Sequence, residues 1–415
     1  MYLASRGGSG VAAVSRSAFA LRATASNVVA LGLVSLVTDI SSEMVTAVWP
    51  LYLVMGLGLS PLQFGALEGV SGAMTALVRL LSGHFADRWH RLKTMAVLGY
   101  ALSAASKLGF LWAGSSTTAL AGVLTADRSG KGIRTAPRDA LISLSSRPEA
   151  LGRAFGVHRA MDTIGAFLGP LAAMGVLWAS LNSYDAVFVT SFCVAVVGVL
   201  LMVSLVRDQK APPTPGEVRS LGAALGLLRL AAFRRIAGWA SVLGLVALSD
   251  AFVYLLLQRR WGVDAVWFPL LPLGSAAVYL LLAVPLGYLA DRVGRWAVFL
   301  GGHLALLGAL LALLGPADRV VFAAGALVLH GAFYAATDGV LMAAAGAVLP
   351  VHGRASGMSL IQTGQATARM LSSVMFGWLW TRWDLRGAVL VMVAALAVVV
   401  LAAAIVRPLR TEDAS

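Results

Sequence analysis

Ionisable side chains embedded in apolar stretches carry what chemistry this chain offers. Asp39 and Glu43 stand four residues apart in an otherwise apolar run, so on a helix they share a face. Two close carboxylates in a low dielectric do not easily both ionise, and a pair that retains a proton is what a proton carrier requires. Permanent pairing of either one with a cation from another stretch is the competing reading. Asp127, Lys131, Arg134 and Arg138 follow at i, i+4, i+7 and i+11, one helical stripe that must face protein or water. His158, Arg159 and Asp162 come next, with His158 and Asp162 one turn apart. In one account Arg138, Asp139, Arg159 and Asp162 form a structural charge network between neighbouring helices. In the other, Lys131 and Arg134 meet an anionic or zwitterionic substrate and His158 serves as a titratable relay, since histidine titrates near physiological pH. A net basic cavity would favour anions.

The second half of the chain is less charged. Asp250 holds a place like that of Asp39, His330, Tyr334 and Asp338 recur at i, i+4 and i+8, and Gln362, Gln365 and Arg369 add a further polar face. Asp39, Glu43, His158, Asp162, Asp250 and Asp338 are therefore the proton-coupling candidates. Asp127, Lys131, Arg134, His330, Tyr334, Gln362, Gln365 and Arg369 are the candidates for a substrate cavity. The glycines around Lys131 lack the Walker spacing and its Lys-Ser/Thr end, so no nucleotide site is expected. There is no Ser/His/Asp set and no cofactor loop, which argues against an enzyme or a cofactor. Glu43, Met44, His158, Met161, Asp162, His330 and Asp338 are metal-ligand types, but no His-x-x-x-His or cysteine spacing accompanies them and no resident metal is expected. Cys193 is alone, so no disulfide framework exists.

The elements that hold these groups follow from composition. With 59% hydrophobic and only 12% charged residues and a mean hydropathy of +0.83, a soluble globule of 415 residues would lack polar surface. The chain reads as an all-α membrane protein. A spanning helix needs about 20 mostly apolar residues, and twelve stretches qualify: 27–56, 61–83, 94–113, 118–143, 153–179 and 185–206, then 233–257, 265–288, 296–314, 320–349, 355–380 and 387–406. Residues 1–26 read as an irregular tail. Residues 207–232 form a linker, Pro-rich at Pro212, Pro213 and Pro215, with an amphipathic helix expected over 221–232. Six-helix bundles are thus expected at 27–206 and 233–406, with a short tail at 407–415.

The net charge of +13 would suggest nucleic acid in a soluble chain, but here the membrane accounts for it. With the N-terminus inside, the outer loops hold only Arg259, Arg260, Arg319, Arg382 and Arg386, and the other segments hold the remaining loop cations. Both termini are therefore expected in the cytoplasm, and no nucleic-acid partner is expected. Two loops repeat one pattern half a chain apart: Gly83, three residues, Asp87-Arg88, then Arg91, and Gly287, three residues, Asp291-Arg292, then Arg295. A unit that recurs at half-length implies two structurally similar halves.

Twelve spans in two halves, with this loop after the second span of each, resemble the major facilitator superfamily of secondary transporters. The N-terminal loop departs from the family pattern with His90 at the usual second glycine. On the fifth span Gly156, Gly165 and Gly169-Pro170 resemble the antiporter motif of the drug and proton exchangers, with Ala173 and Met174 at the usual closing glycine pair. The resemblance implies two pseudo-symmetric six-helix bundles around a midplane substrate site. It implies that Asp87 meets the start of span eleven near Arg354, that Asp291 meets the start of span five near Arg153, and that these contacts act as gates. The function it implies is proton-coupled export of a small organic solute by a monomer in the lipid bilayer of a bacterial inner membrane. An uptake carrier for an anionic metabolite or metal chelate is the alternative, and a membrane sensor or assembly factor a third.

Overall fold

A computed structural model describes residues 9–89, 91–146, 151–209, 225–316, 319–350 and 354–406, leaving aside the side chains of 9–25, 75, 76, 79–89, 136, 151–153 and 354–356. Regular structure among the described residues is helical. The first half comprises α1 (Ser9–Leu51), α2 (Pro61–Trp89), α3 (Leu92–Ala113), α4 (Thr117–Leu144), α5 (Leu151–Ala179) and α6 (Tyr184–Leu205). The second comprises α7 (Ala231–Val246), α8 (Asp250–Trp261), α9 (Leu270–Val293), α10 (Arg295–Leu313), α11 (Val320–Val348), α12 (Arg354–Arg382) and α13 (Leu385–Val406).

The two halves repeat one pairing scheme. In the first, α1 packs on α5 and α6, α3 on α4 and α6, and α2 on α4; in the second, α7 packs on α12 and α13, α10 on α11 and α13, and α9 on α11. Among the described residues nine helical segments are long and apolar enough to cross a membrane, with Ala231–Trp261 counted as one. The other three of spanning length are α2, α4 and α12, with 29, 28 and 29 residues. Among their described charged residues, Glu68, Arg128 and Arg369 face an internal cavity and Asp127 and Arg134 face protein, which lets them stand in a span. The chain is therefore an integral membrane protein, and twelve helical segments of spanning length stand among the described residues when Ala231–Trp261 is counted as one.

Two features depart from the sequence reading. Helix α1 runs back to Ser9, through residues expected to form an irregular tail; no Pro or Gly stands between Val11 and Leu31 to stop it. In the linker, residues 225–226 are helical and Leu227–Arg229 form a 3₁₀ turn, while the first part of the amphipathic helix expected over 221–232 falls in residues 210–224, which lie outside the described residues. The seventh span is broken: helix stops at Val246 and restarts at Asp250, and the Ser372 hydroxyl donates to the Ala247 carbonyl at 2.8 Å. That bond satisfies a backbone acceptor the break would otherwise strand in the interior.

Across the halves the contact is uneven. Helices α2 and α12 pack extensively, whereas α5 and α9 touch only briefly. Along α2 the approach loosens step by step. A Cβ added at Gly65 would collide with the Ser373 carbonyl, one at Gly69 would lie 2.9 Å from Met370, and one at Gly72 would lie 3.9 Å from Ala366. The two helices therefore diverge toward the end of the molecule that carries the Gly-x-x-x-Asp-Arg loops. At the opposite end Phe64 of α2, Phe252 of α8 and Phe376 of α12 stack edge to face with centroids 4.8 Å apart, and Trp380 closes the cluster. Such geometry suits the quadrupoles of the rings, and it makes an apolar plug between the halves.

Candidate functional site

Between the halves, beneath this plug, lies a cavity in two lobes. One has a volume of about 410 Å3 and is lined by Arg128 of α4, Arg369, Gln362 and Gln365 of α12 and a row of hydroxyl and small side chains. The other, about 550 Å3, is lined by Glu43, Trp49, Tyr254, Pro272 and Tyr279, with Pro170 of α5 in its wall. Glu68, Arg128, Asp250, Tyr334 and Asp338 border both lobes and form the neck.

The neck residues are held in place by neighbours. The Arg128 guanidinium donates through Nε to Ser71 Oγ of α2 at 2.9 Å. Asp250 starts α8, accepts a hydrogen bond from the Tyr334 hydroxyl and has His330 Nε2 at 3.4 Å. His330 is fully buried, with Ser275 at 3.4 Å from Nδ1 and the Tyr254 ring against its edge. Arg369 lies over the Tyr334 ring, 6.0 Å from its centroid. Among the described residues neither Arg369 nor Asp338, Glu68 or Glu43 has an ion-pair partner within 4.0 Å.

A second group of charges lies inside the first half, behind the cavity wall. Arg134 is buried, 3.5 Å from Asp39 of α1 and stacked on Tyr100 of α3. Lys107 of α3 is 2% exposed and pairs with Asp127 at 3.5 Å. Arg138 bridges Asp139 at 3.0 Å and Asp162 at 3.9 Å, and Asp162 also meets Arg159 at 3.5 Å. The Asp39 and Asp162 carboxyls are within hydrogen-bonding reach of each other, and Lys131 is near enough to attract Asp39. Helices α1 and α5 come this close because of two glycines. A Cβ at Gly165 would stand 2.5 Å from the Leu36 carbonyl, and one at Gly169 would stand 2.5 Å from Glu43 Cβ.

A family model described as Major Facilitator Superfamily matches residues 31–278 and 251–415. The chain belongs to the Major Facilitator Superfamily. Among curated relatives of this superfamily chain is an "uncharacterized MFS-type transporter" of Methanocaldococcus jannaschii, 28% identical over 371 residues, covering 86% of this chain and 89% of the relative. A protein of Mycobacterium tuberculosis is 26% identical over 373 residues, 88% of each chain. Among solved structures, a mutant of the nucleoside transporter NupG superposes with a TM-score of 0.77 at 15% identity, over 90% of this chain and 98% of that one. A bacterial homologue of the human lysosomal transporter Spinster, inward-facing and occupied, gives 0.71 at 15% identity over 93% and 97%. These structures share the fold. The family and the fold are those of membrane transporters.

The superfamily frame makes the placement of the expected site residues intelligible. Glu43, Asp250, Tyr334, Asp338, Gln362, Gln365 and Arg369 line the cavity. Asp39, Asp127, Arg134, His158 and Asp162 are set back inside the first half, away from both lobes, and so is Lys131. His330 stands one layer behind Tyr334 and Asp250. The residues that line the two lobes thus include Arg128 and Arg369 and not the basic stripe. The stripe Asp127, Arg134, Arg138 turns toward α3, α1 and α5, and Arg128, about 100° further round the helix, is the α4 cation that reaches the lumen. Asp39 and Glu43 are divided as well, the first toward Arg134 and Asp162, the second toward the cavity.

Sequence reasoning passed over Glu68 and Arg128. Glu68 is a lone carboxylate in the second span, so the same rule that singled out Asp39 applies to it. Of the antiporter-like residues, Gly165 and Gly169 form the α1 contact and Pro170 the cavity wall, whereas a Cβ added at Gly156 would meet open space. At the loops, Asp291 pairs with Arg295 of α10 at 3.2 Å, and Arg295 also donates to the Ala343 carbonyl of α11 at 3.0 Å. Gly287 lines a groove of about 180 Å3 with both of them. Arg91 occupies the N-cap position of α3 without a side-chain capping bond, and Arg292 lies in the last turn of α9. The side chains of Asp87, Arg88, Arg153 and Arg354, and the surroundings of Gly83, lie outside the described residues, as does His90.

Proposed function

We propose that the chain is a proton-coupled exporter of a small organic solute, moving it by alternating access with both termini in the cytoplasm of a bacterial inner membrane and acting as a monomer. The observation that carries this reading is the seam between α1 and α5. Its carboxyls Asp39 and Asp162 lie within hydrogen-bonding reach, beside Arg134, and one turn further along the same seam Glu43 lines the cavity beside Gly169 and Pro170. The coupling this reading needs is a proton shared between two carboxyls in hydrogen-bonding reach, of which one must donate. Loss of that proton leaves two negative charges on one seam, and the repulsion is transmitted through a close-packed contact that has little room to absorb it. Proton occupancy and the shape of the cavity wall are thereby linked.

The aromatic plug at one end and the divergence of α2 and α12 toward the other support a state open on the side of the Gly-x-x-x-Asp-Arg loops. The excess of loop cations on that side supports reading it as the cytoplasmic one. Asp291, engaged by Arg295, is then a gate waiting for the start of α5, and Asp87 its counterpart toward α12.

Flux measurements on protein in liposomes test this. An imposed pH gradient is expected to drive solute out against its gradient, and Asp39→Asn together with Glu43→Gln to cut that accumulation at least ~10-fold while exchange down a gradient persists. Mutants that accumulate solute like the parent sink the coupling through α1, and net flux in the other direction sinks export.

A further inference from the structure

Resting on the reading of this cavity as the transport site, we infer that its ligand is an aromatic zwitterion: a carboxylate and an ammonium close together, joined to an apolar ring. Three observations lead there. First, the cavity wall carries mid-span charges of both signs that form no ion pair with one another within 4.0 Å among the described residues. Arg128 is tied to Ser71 and Arg369 lies over Tyr334, so each cation is braced by its own half, while Glu68 and Asp338 have no ion-pair partner among the described residues. Opposite charges braced apart in a low dielectric are costly unless something of complementary charge comes between them. Second, the two signs are distributed unevenly. Arg369 belongs only to the smaller lobe, Arg128 stands at its mouth in the neck on the other half, and Glu68, Asp250 and Asp338 share that neck. A carboxylate seated between the two guanidiniums would place an adjacent ammonium at the neck. Third, the larger lobe beyond the neck is walled by Trp49, Tyr254 and Tyr279. That wall accepts a ring by stacking, and its volume of about 550 Å3 is large enough for a bicyclic one.

Because Arg128 and Arg369 sit on opposite halves, one carboxylate would tie the halves together across the cavity. An amine without an acid would leave both guanidiniums unanswered, and an acid without an amine would leave the neck carboxylates unanswered.

A matched fluorescent trio tests the inference on the purified full-length protein in nanodiscs: Nε-dansyl-lysine, its methyl ester and its Nα-acetyl derivative, which share one skeleton and differ in charge. The zwitterion is expected to bind at least ~10-fold more tightly than either blocked form. Arg369→Gln is expected to weaken the zwitterion and the acetyl derivative about 10-fold and to leave the ester unchanged; Asp338→Asn should weaken the zwitterion and the ester and spare the acetyl derivative. Equal or tighter binding of the ester, or binding of none of the three, overturns the inference. Because the wild-type comparison needs no variant, a misfolded mutant does not protect it. Binding without flux in liposomes would sink the transport reading alone, and flux of the ester with no binding of the zwitterion would sink the ligand class alone.

Discussion

The buried charges divide into those that answer one another and those that do not. Lys107 with Asp127, and Arg134 with Asp39, are closed pairs in the interior of the first half. Removing one member of such a pair leaves an uncompensated charge, which costs about 3–5 kcal/mol. Arg134→Ala is therefore expected to lower stability by about 3 kcal/mol, read as loss of thermal stability in detergent. Replacing Arg134 and Asp39 together by apolar residues should recover much of it. Arg159 is 78% exposed although it contacts Asp162, and Arg159→Ala should change stability by no more than about 0.5 kcal/mol. A wild-type melting curve from Arg134→Ala would show that the pair contributes nothing.

At the scale of the helices, close approach is decided by small residues and not by apolar area, since lipid competes with any apolar face. The α1 and α5 contact depends on Gly165 and Gly169, where a side chain has no room. Gly169→Ala forces the α1 backbone or Glu43 to move and is expected to cost about 1–3 kcal/mol, with transport impaired, while Gly156→Ala in open space should be tolerated. Equal thermal shifts for the two substitutions would refute this account of the antiporter-like motif. The broken seventh span has a comparable support: Ser372→Ala removes the donor to the Ala247 carbonyl and should destabilise by about 1 kcal/mol or more, measured in the same way.

At the scale of the whole molecule, the two halves obey one internal plan but meet unevenly, closely through α2 and α12 and slightly through α5 and α9. The plug of Phe64, Phe252, Phe376 and Trp380 holds one end shut without polar bonds, so it should be separable by truncation. Phe252→Ala is expected to shift the population toward opening at that end. A cysteine at Ala251, placed in a Cys193→Ser background, should then react about 10-fold faster with an impermeant thiol reagent applied from that side. An unchanged labelling rate would mean that the plug does not gate access.

The sequence by itself determined the class, the family resemblance and the set of ionisable residues in apolar stretches. Hydropathy and helical period are local quantities, and the cost of a charge in lipid marks every ionisable residue regardless of its partner. It could not decide which charge faces which way. On α4 the stripe through Asp127 and Arg134 has the right period to line a cavity, and only packing against Lys107, Asp39 and Tyr100 shows that it serves the bundle interior. Arg128, one residue along, faces the lumen instead. Asp39 and Glu43 share a helical face and yet part company, because Gly165 and Gly169 bring α5 against that face and divide it between an interior seam and a cavity wall. The rotation of each helix about its own axis is set by its neighbours, and that is a tertiary quantity with no local signal.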